Sequence, residues 1–182
     1  EVDYITKGGH QLIWHADPTD VCGAEVEAAL TGDKQYDFVV LQDSSSNTAI
    51  DDYQWHLYDP VRTLVAKIRA HGAEPILYAT SARELGTAFL ENRGWSHEHM
   101  LYKVAAAYTA IAEELDLRVC YAGFTLAEVY LNTDIRVFKE GDSISHPTTV
   151  GMYGVALTLF SEIFGVDPQS IAYESGLKGT TS

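Results

Sequence analysis

Short apolar runs alternate along the chain with longer segments in which apolar residues recur every three or four positions. Continuous apolar runs predict strands at 37–42, 75–80 and 118–121, and residues 2–6 are read as a further strand. Helical spacing predicts helices at 24–30, from 61 to 71, over 101–115 and from 149 to 164. Strands that alternate with helices in this way are typical of an α/β fold with a parallel sheet.

Polar segments follow the predicted strands. Gly8-Gly9, Gln42-Asp43-Ser44, residues 80–83 and the loop after Tyr121 all come where a strand ends. In open parallel sheets the ligand binds at the carboxyl ends of the strands. We therefore expect the functional site at this edge, with the loop 141–147 closing over it.

Length and charge narrow the range of functions. A chain of 182 residues favours a single domain, taken as 1–182. Its net charge of −14, from 12 basic and 26 acidic residues, argues against binding to nucleic acid or to an anionic membrane surface. No run approaches the ~20 consecutive apolar residues of a membrane span.

Neither the two cysteines nor the start of the chain identifies the cellular compartment of the protein. Cys22 and Cys120 lie far apart without the spacing of a metal site, so no metal is expected. Cys120, in an apolar run, is predicted to be a buried thiol. A disulfide between Cys120 and Cys22 is possible, but nothing in the sequence supports it. The start Glu1-Val2-Asp3-Tyr4 lacks the regions of a signal peptide. A mature secreted chain would lack them too.

The loop 141–147 carries an acid, a hydroxyl and an imidazole within five residues: Asp142, Ser143 and His146. His146 can accept and return a proton near neutral pH, and Asp142 can hold its ring in one tautomer. Pro147 suits the first turn of the following helix, which places His146 at the helix entrance. A surface loop that caps the helix is the alternative, and we favour a functional role.

Two further segments offer hydrogen-bond donors. Gln42 follows a buried strand, and its carboxamide could stabilise a developing oxyanion. Gly8-Gly9 could supply a second donor from a backbone N–H. The alternatives are that Gln42 or Asp43 caps the strand or binds the loop 44–47, and that the glycines form a plain turn. For each segment taken alone, the alternative is the better interpretation.

These blocks together resemble the SGNH (GDSL-type) hydrolases. The resemblance rests on Gly8-Gly9, on residues 36–44, and on Asp142, His146-Pro147 and residues 151–153. It is closest to the branch of the family whose third block reads like Val-Leu-Gln-x-x-Ser. It covers nearly the whole chain. It implies a flavodoxin-like, three-layer α/β/α fold and hydrolysis of acyl esters, often acetyl groups on carbohydrate. It implies no metal or organic cofactor.

The resemblance also implies roles for single residues. His146 would be the general base, Asp142 its orienting acid, Gln42 the side-chain oxyanion donor, and Gly9 or Gly8 the backbone donor. The family usually spaces its last block as Asp-x-x-His. Here one further residue separates Asp142 from His146.

The nucleophile is the larger departure. The family's first block is a strand ending in Gly-Asp/Asn-Ser, and residues 1–7 contain no serine. We expect an N-terminal segment outside this sequence, either a companion peptide after cleavage or a segment absent from the sequence, to carry that strand and serine. In this fold the first strand is central, and without it the two neighbouring strands would have unpaired edges that face each other. Ser143, after a possible strand at 135–138, is the alternative, in a circularly permuted hydrolase. The serines 44–46 are weaker candidates.

We expect secondary roles for several other side chains. Trp14, between His10 and His15, and Arg83, after a strand, could contact substrate together with Gly8 and Ser44. Ordinary packing of the tryptophans (Trp14, Trp55 and Trp95) and pairing of Arg83 with Glu84 or Asp43 are the alternatives. His97 and His99 are predicted to be surface histidines at a helix start.

The sequence thus predicts a serine ester hydrolase acting on a small acyl ester or an acetylated carbohydrate. The competing hypothesis is a non-catalytic module that binds carbohydrate or another ligand on a hydrolase fold.

Overall fold

The computed structural model describes residues 1–171, which group into two compact units. The first compact unit contains Glu1–Thr80 and Lys103–Val119, and the second contains residues 81–102 and 120–171. The single domain over 1–182 stays a prediction, and residues 172–182 lie outside the described part.

Three strands form a parallel sheet at the predicted positions. They are β1 (Phe38–Leu41), β2 (Glu74–Tyr78) and β3 (Arg118–Cys120), in the order β1-β2-β3. β1 runs parallel to β2, with Leu41 opposite Leu77. Helices flank the sheet, and the predicted α/β fold class is confirmed.

β1 is less covered than its apolar sequence predicts. We expected a strand buried on both faces, but Val40 is 39% exposed, whereas Leu41 is buried. β1 lies at the edge of the described sheet and has a single neighbouring strand there. An edge position leaves one side of a strand without the cover that a central strand receives.

The predicted strand at 2–6 is wrong. These residues are not paired as a strand, and the side chains of Val2 and Tyr4 are 88% and 83% exposed. Asp3 instead binds Lys34 Nζ at 2.6 Å and the Tyr36 hydroxyl at 2.9 Å. Alternating apolar residues form a strand only where a neighbouring strand satisfies their backbone, and no described strand does so here.

The described helices that come before β2 in the sequence lie in the first compact unit. They are α1 (Leu12–Ala16), α2 (Val21–Thr31), α3 (Ser45–Thr48), a 3-10 turn (Asp51–Tyr53) and α4 (Trp55–His71). α4 buries Leu57, Val61, Leu64, Val65 and Ile68 and ends before Gly72, as predicted. α2 is also confirmed, with Asp20 as its N-cap. α1 and α3 were not predicted.

The other described helices follow β2 and β3. They are α5 (Ala88–Glu91), α6 (His97–Leu115), α7 (Ala122–Asn132), α8 (Thr149–Phe164) and a 3-10 turn (Pro168–Ser170). The predictions of α6 and α8 are confirmed, whereas α5 and α7 were not predicted. Among residues 1–171, no helix combines the length and the apolar character needed to cross a membrane.

α7 begins directly after β3, where we expected a loop. It packs against α8, and the hydroxyls of Thr125 and Thr158 lie 2.8 Å apart. Its buried residues are Ala122, Gly123, Leu126 and Ala127. Their spacing of one and four positions is a helical signal that the sequence contains.

Candidate active site

The loop that carries His146 is closed at its base by backbone hydrogen bonds. Lys139 N donates to His146 O at 2.9 Å, and Thr148 N donates to Val137 O at 2.8 Å. Residues 135–138, considered as a strand, form only an isolated antiparallel bridge from Phe138 to Pro147. That strand prediction is wrong, because this backbone pairs with its own loop rather than with the sheet.

α8 begins two residues later than Pro147. Thr148 is the N-cap, and its hydroxyl accepts from Gly151 N at 3.2 Å, so Pro147 precedes the helix instead of lying in its first turn. A Cβ atom at Gly151 would lie 2.4 Å from Val137 O. Only glycine permits this close approach, which holds the start of α8 against the base of the loop. His146 therefore still lies at the helix entrance.

The Asp142 carboxylate organises the loop. Its Oδ1 accepts from Ile144 N at 2.8 Å, and its Oδ2 accepts from His146 N at 3.1 Å and from His146 Nδ1 at 2.6 Å. The Ile144 N–H, followed by the His146 side chain and N–H, lowers the pKa of Asp142 to about 2, against an opposing effect of desolvation. Asp142 is therefore ionised near neutral pH.

This contact fixes the state of His146. An ionised carboxylate can only accept, so Nδ1 of His146 carries the proton and Nε2 of the neutral ring has a free lone pair. Nε2 forms no hydrogen bond with a described residue, and the side chain is 58% exposed. The extra residue between Asp142 and His146 is accommodated by Ser145, whose φ of 61° lies in the left-handed region.

Ser143 and Arg83 meet through the backbone. Ser143 is exposed, and its carbonyl oxygen accepts from Arg83 Nη1. Within the described residues, no hydrogen bond joins the Ser143 hydroxyl to His146. Ser143 as the nucleophile and Arg83 as a substrate contact both stay predictions. Glu84, considered as a partner of Arg83, lies 3.7 Å from Arg136.

In the first compact unit, Asp43 rather than Gln42 anchors the end of β1. Asp43 is 3% exposed, its Oδ1 accepts from Leu12 N at 2.9 Å, and its N donates to the Tyr108 hydroxyl at 2.9 Å. Burial raises the pKa of Asp43 despite the N–H groups of Leu12 and Ser44. The Gln42 side chain is exposed and forms no hydrogen bond with described residues, so its amide N–H groups are available to a ligand.

Gly8 and Gly9 form the predicted turn. Gly9 has a φ of 75°, and both glycines are exposed. Among the described residues neither N–H has a hydrogen-bond acceptor. Beside this turn the His10 ring packs against Trp14 at 4.8 Å, and Trp14 is 38% exposed. The turn thus offers free backbone donors next to an accessible aromatic surface.

One cluster offers metal-ligand atoms. The ligand atoms of His10, Asp20 and Cys22 lie within 4.8 Å of one another, although their sequence spacing gives no such signal. Asp20 Oδ1 already accepts from Cys22 N at 2.8 Å as the cap of α2, and it lies 3.1 Å from His10 Nε2. The positive end of a helix also disfavours a cation. We therefore interpret the cluster as a helix cap whose carboxylate also contacts the His10 ring. Cys22 and Cys120 are both buried free thiols.

The prediction of a surface position is wrong for His97 and correct for His99. His97 is fully buried, its ring centroid lies 5.0 Å from that of Tyr130 and 6.0 Å from that of Phe138, and its Nδ1 donates to Arg83 O at 2.7 Å. Burial lowers the pKa of His97. The aromatic neighbours come from distant sequence, so the local pattern could not indicate them.

The other tryptophans differ in exposure. Trp55 is 49% exposed, and its ring centroid lies 3.7 Å from that of His56. Trp95 is half-buried against Phe89 and His99, as the packing interpretation expected.

No protein-family model matches the chain, and no curated protein sequence matches it. A candidate SGNH hydrolase from Slackia heliotrinireducens matches with a TM-score of 0.71 at 28% identity, over 86% of this chain and 80% of that one. A DUF4886 family protein from Bacteroides uniformis has a TM-score of 0.68 at 18% identity, over 84% and 60%. A catalytic mutant of an acetylxylan esterase from Geobacillus stearothermophilus has a TM-score of 0.57 at 17% identity, over 88% and 70%.

The last two matches bear on the fold alone, and the first adds similarity in sequence. All three agree with the α/β arrangement of β1, β2 and their flanking helices. The resemblance inferred from the sequence blocks is therefore confirmed, and the chain is related to the SGNH-type hydrolases.

Proposed function

We propose that this protein is a serine ester hydrolase in which His146 is the general base and Asp142 orients it. The observation that carries this proposal is the 2.6 Å contact from His146 Nδ1 to an ionised Asp142, with Nε2 left open to solvent. In acyl transfer, Nε2 takes the proton of the serine hydroxyl and returns it to the leaving alcohol. It then activates the water that hydrolyses the acyl-enzyme.

Gln42 and Gly9, or Gly8, are proposed as the donors to the oxyanion. Their N–H groups are exposed and have no acceptor among the described residues. Such donors stabilise the negative charge that develops on the carbonyl oxygen, and losing one typically lowers kcat by about 10²–10³-fold. Asp43 supports this role, because it anchors the strand end and leaves the Gln42 amide free.

We further propose an acetylated carbohydrate or a small acyl ester as the substrate. One structural neighbour is an acetylxylan esterase, which supports an acetyl ester as the scissile group. The exposed face of Trp14 supports a sugar, because pyranose rings pack against aromatic rings. Gly8 and Ser44 remain proposed substrate contacts.

The nucleophile is proposed to be a serine on a strand that precedes Glu1 in the full-length protein and pairs with β1. Val40 at the edge of the described sheet is 39% exposed in an otherwise apolar strand, as expected for a strand with a further neighbour. Ser143 is the competing nucleophile, since it lies three residues from His146 in the same loop.

A fluorophosphonate probe tests this proposal on the full-length protein. We expect covalent labelling, loss of labelling in His146→Ala, and a tagged serine on a peptide that precedes residue 1. A tag on Ser143 would assign the nucleophile to the loop and overturn the N-terminal strand. An unlabelled protein that also fails to hydrolyse p-nitrophenyl acetate would overturn the esterase and favour the binding module.

A further inference from the structure

The loop between Asp142 and His146 is held from outside by two consecutive residues. Arg83 Nη1 donates to Ser143 O, and Glu84 N donates to Ser145 Oγ at 2.7 Å. Both acceptors lie in the three residues that separate the acid from the base. The segment 83–84 therefore contacts the part of the loop where the spacing differs from Asp-x-x-His.

Ser145 is the residue in this loop that most needs such support. It is 3% exposed, and its φ of 61° is a conformation that residues other than glycine, asparagine and aspartate rarely adopt. Its N–H donates to Asp142 O at 3.0 Å. The surroundings must hold a serine in this conformation, and the hydrogen bond to Glu84 N is a direct way to do so.

The segment that provides these contacts is itself anchored in the second compact unit. Arg83 O accepts from the buried His97 at 2.7 Å, and Arg83 N lies 3.4 Å from Met100 Sδ. The guanidinium lies 4.9 Å from the centre of the Phe89 ring. Arg83 and Glu84 therefore present fixed donors to the loop rather than mobile side chains.

We propose that Arg83 and Ser145 are positioning residues that hold Asp142 and His146 in contact. This inference rests on the proposed hydrolase function and replaces substrate binding as the role of Arg83. Without the two contacts, the longer Asp-x-x-x-His loop can relax, and the His146 ring then adopts either tautomer and several orientations. A mispositioned base lowers kcat, whereas substrate binding and KM change little.

Two substitutions of Ser145 separate the hydrogen bond from the backbone conformation. Ser145→Ala and Ser145→Gly both remove the hydroxyl, but glycine adopts the left-handed conformation without strain. If the hydroxyl positions the loop, both variants lower kcat by about tenfold, the typical effect of one hydrogen bond, with KM unchanged. A Ser145→Gly variant with wild-type kcat would overturn the role of the hydroxyl.

The chain offers matched controls. Ser96 Oγ accepts from His99 N at 3.1 Å at the start of α6, so Ser96→Ala removes a comparable bond away from the loop. Arg93 lies 4.0 Å from the centre of the same Phe89 ring as Arg83, so Arg93→Met removes a comparable stacked cation. We expect Arg83→Met to lower kcat, Arg83→Lys to restore part of it, and both controls to match the wild type.

A second readout does not depend on esterase activity. The proton on His146 Nδ1 should give a downfield ¹H NMR signal, assigned by its loss in His146→Gln. We expect this signal to weaken in Ser145→Ala and Arg83→Met and to persist in Ser96→Ala and Arg93→Met. If the protein lacks esterase activity but the signal follows this order, the proposed function fails and the positioning role of Arg83 and Ser145 stands. If the signal persists in all four variants, that positioning role is overturned.

Discussion

Two aspartates next to the proposed catalytic side chains have pKa values that shift in opposite directions. Asp142 and Asp43 each accept backbone N–H groups, from Ile144 and His146 in one case and from Leu12 and Ser44 in the other. The pKa of Asp142 falls to about 2, whereas that of Asp43 rises. Asp43 is 3% exposed, while the Asp142 side chain keeps 20% of its surface in solvent and contacts an imidazole. Burial thus outweighs the hydrogen bonds at Asp43 only.

This difference in pKa matches two different roles. The proposed role of Asp142 depends on its negative charge, whereas the role of Asp43 is structural. In the proposed mechanism Asp142 needs its charge, because an ionised carboxylate fixes the tautomer of His146 and stabilises the imidazolium that would form during catalysis. Asp43 Oδ2 is buried and has no hydrogen-bond partner among the described residues. Asp43 therefore acts through Oδ1 and its backbone, which join Leu12 and Tyr108 to the end of β1.

The largest effect should come from substitutions in the His146–Asp142 pair. Asp142→Asn puts an amide beside Nδ1 and permits the wrong tautomer, so we expect kcat/KM for p-nitrophenyl acetate to fall by about 10⁴-fold, with a similar loss in His146→Ala. Asp43→Asn, the same chemical change at the buried site, should have a far smaller effect. Circular dichroism spectra of all three variants control for folding.

Comparable losses at both aspartates would contradict the division into a catalytic and a structural carboxylate. A kcat/KM within tenfold of the wild type in Asp142→Asn would show that another group orients His146.

The state of Asp142 was predictable only in part from the sequence. The sequence blocks paired Asp142 with His146 through the family resemblance, but the extra residue between them left the contact open. What restores it is the left-handed conformation of Ser145 and its bond to Glu84, 61 residues earlier in the chain. Local pattern carries no information on such a long-range contact.

The same limit explains the errors in the fold. The pattern of apolar residues within each element was sufficient to predict β1, β2, α4, α6 and α8. The predictions for residues 2–6 and for His97 are wrong because strand pairing and burial depend on neighbours that are distant in the sequence. The sequence does not show whether Gln42 or Asp43 anchors the end of β1, because both residues are polar and adjacent. The position of Leu12 N, which donates to Asp43, identifies Asp43 as the anchor.

The next largest effect concerns stability at Asp43. Asp43→Ala leaves the Leu12 N–H without its acceptor, so we expect the free energy of unfolding in urea to fall by about 1–3 kcal/mol. Asp43→Asn keeps an acceptor oxygen and should lose less. If alanine and asparagine are equally destabilising, the charge of Asp43 matters more than its Oδ1 bond, and the contrast with Asp142 weakens.

The smallest effect is the dependence of stability on pH, and its sign differs between the two aspartates. Because the pKa of Asp142 is lowered by folding, its contribution is present above the ordinary value of 3.8 and is lost as pH falls towards about 2. The pKa of Asp43 is raised, so its ionisation reduces stability as pH rises above 3.8. In urea unfolding between pH 2 and pH 7, Asp142→Asn should flatten the acid side of the profile. Asp43→Asn should gain relative to the wild type as pH rises, and a gain towards acid pH instead would show that folding lowers the pKa of Asp43. The two slopes oppose each other in the wild type, so only the separate variants reveal them.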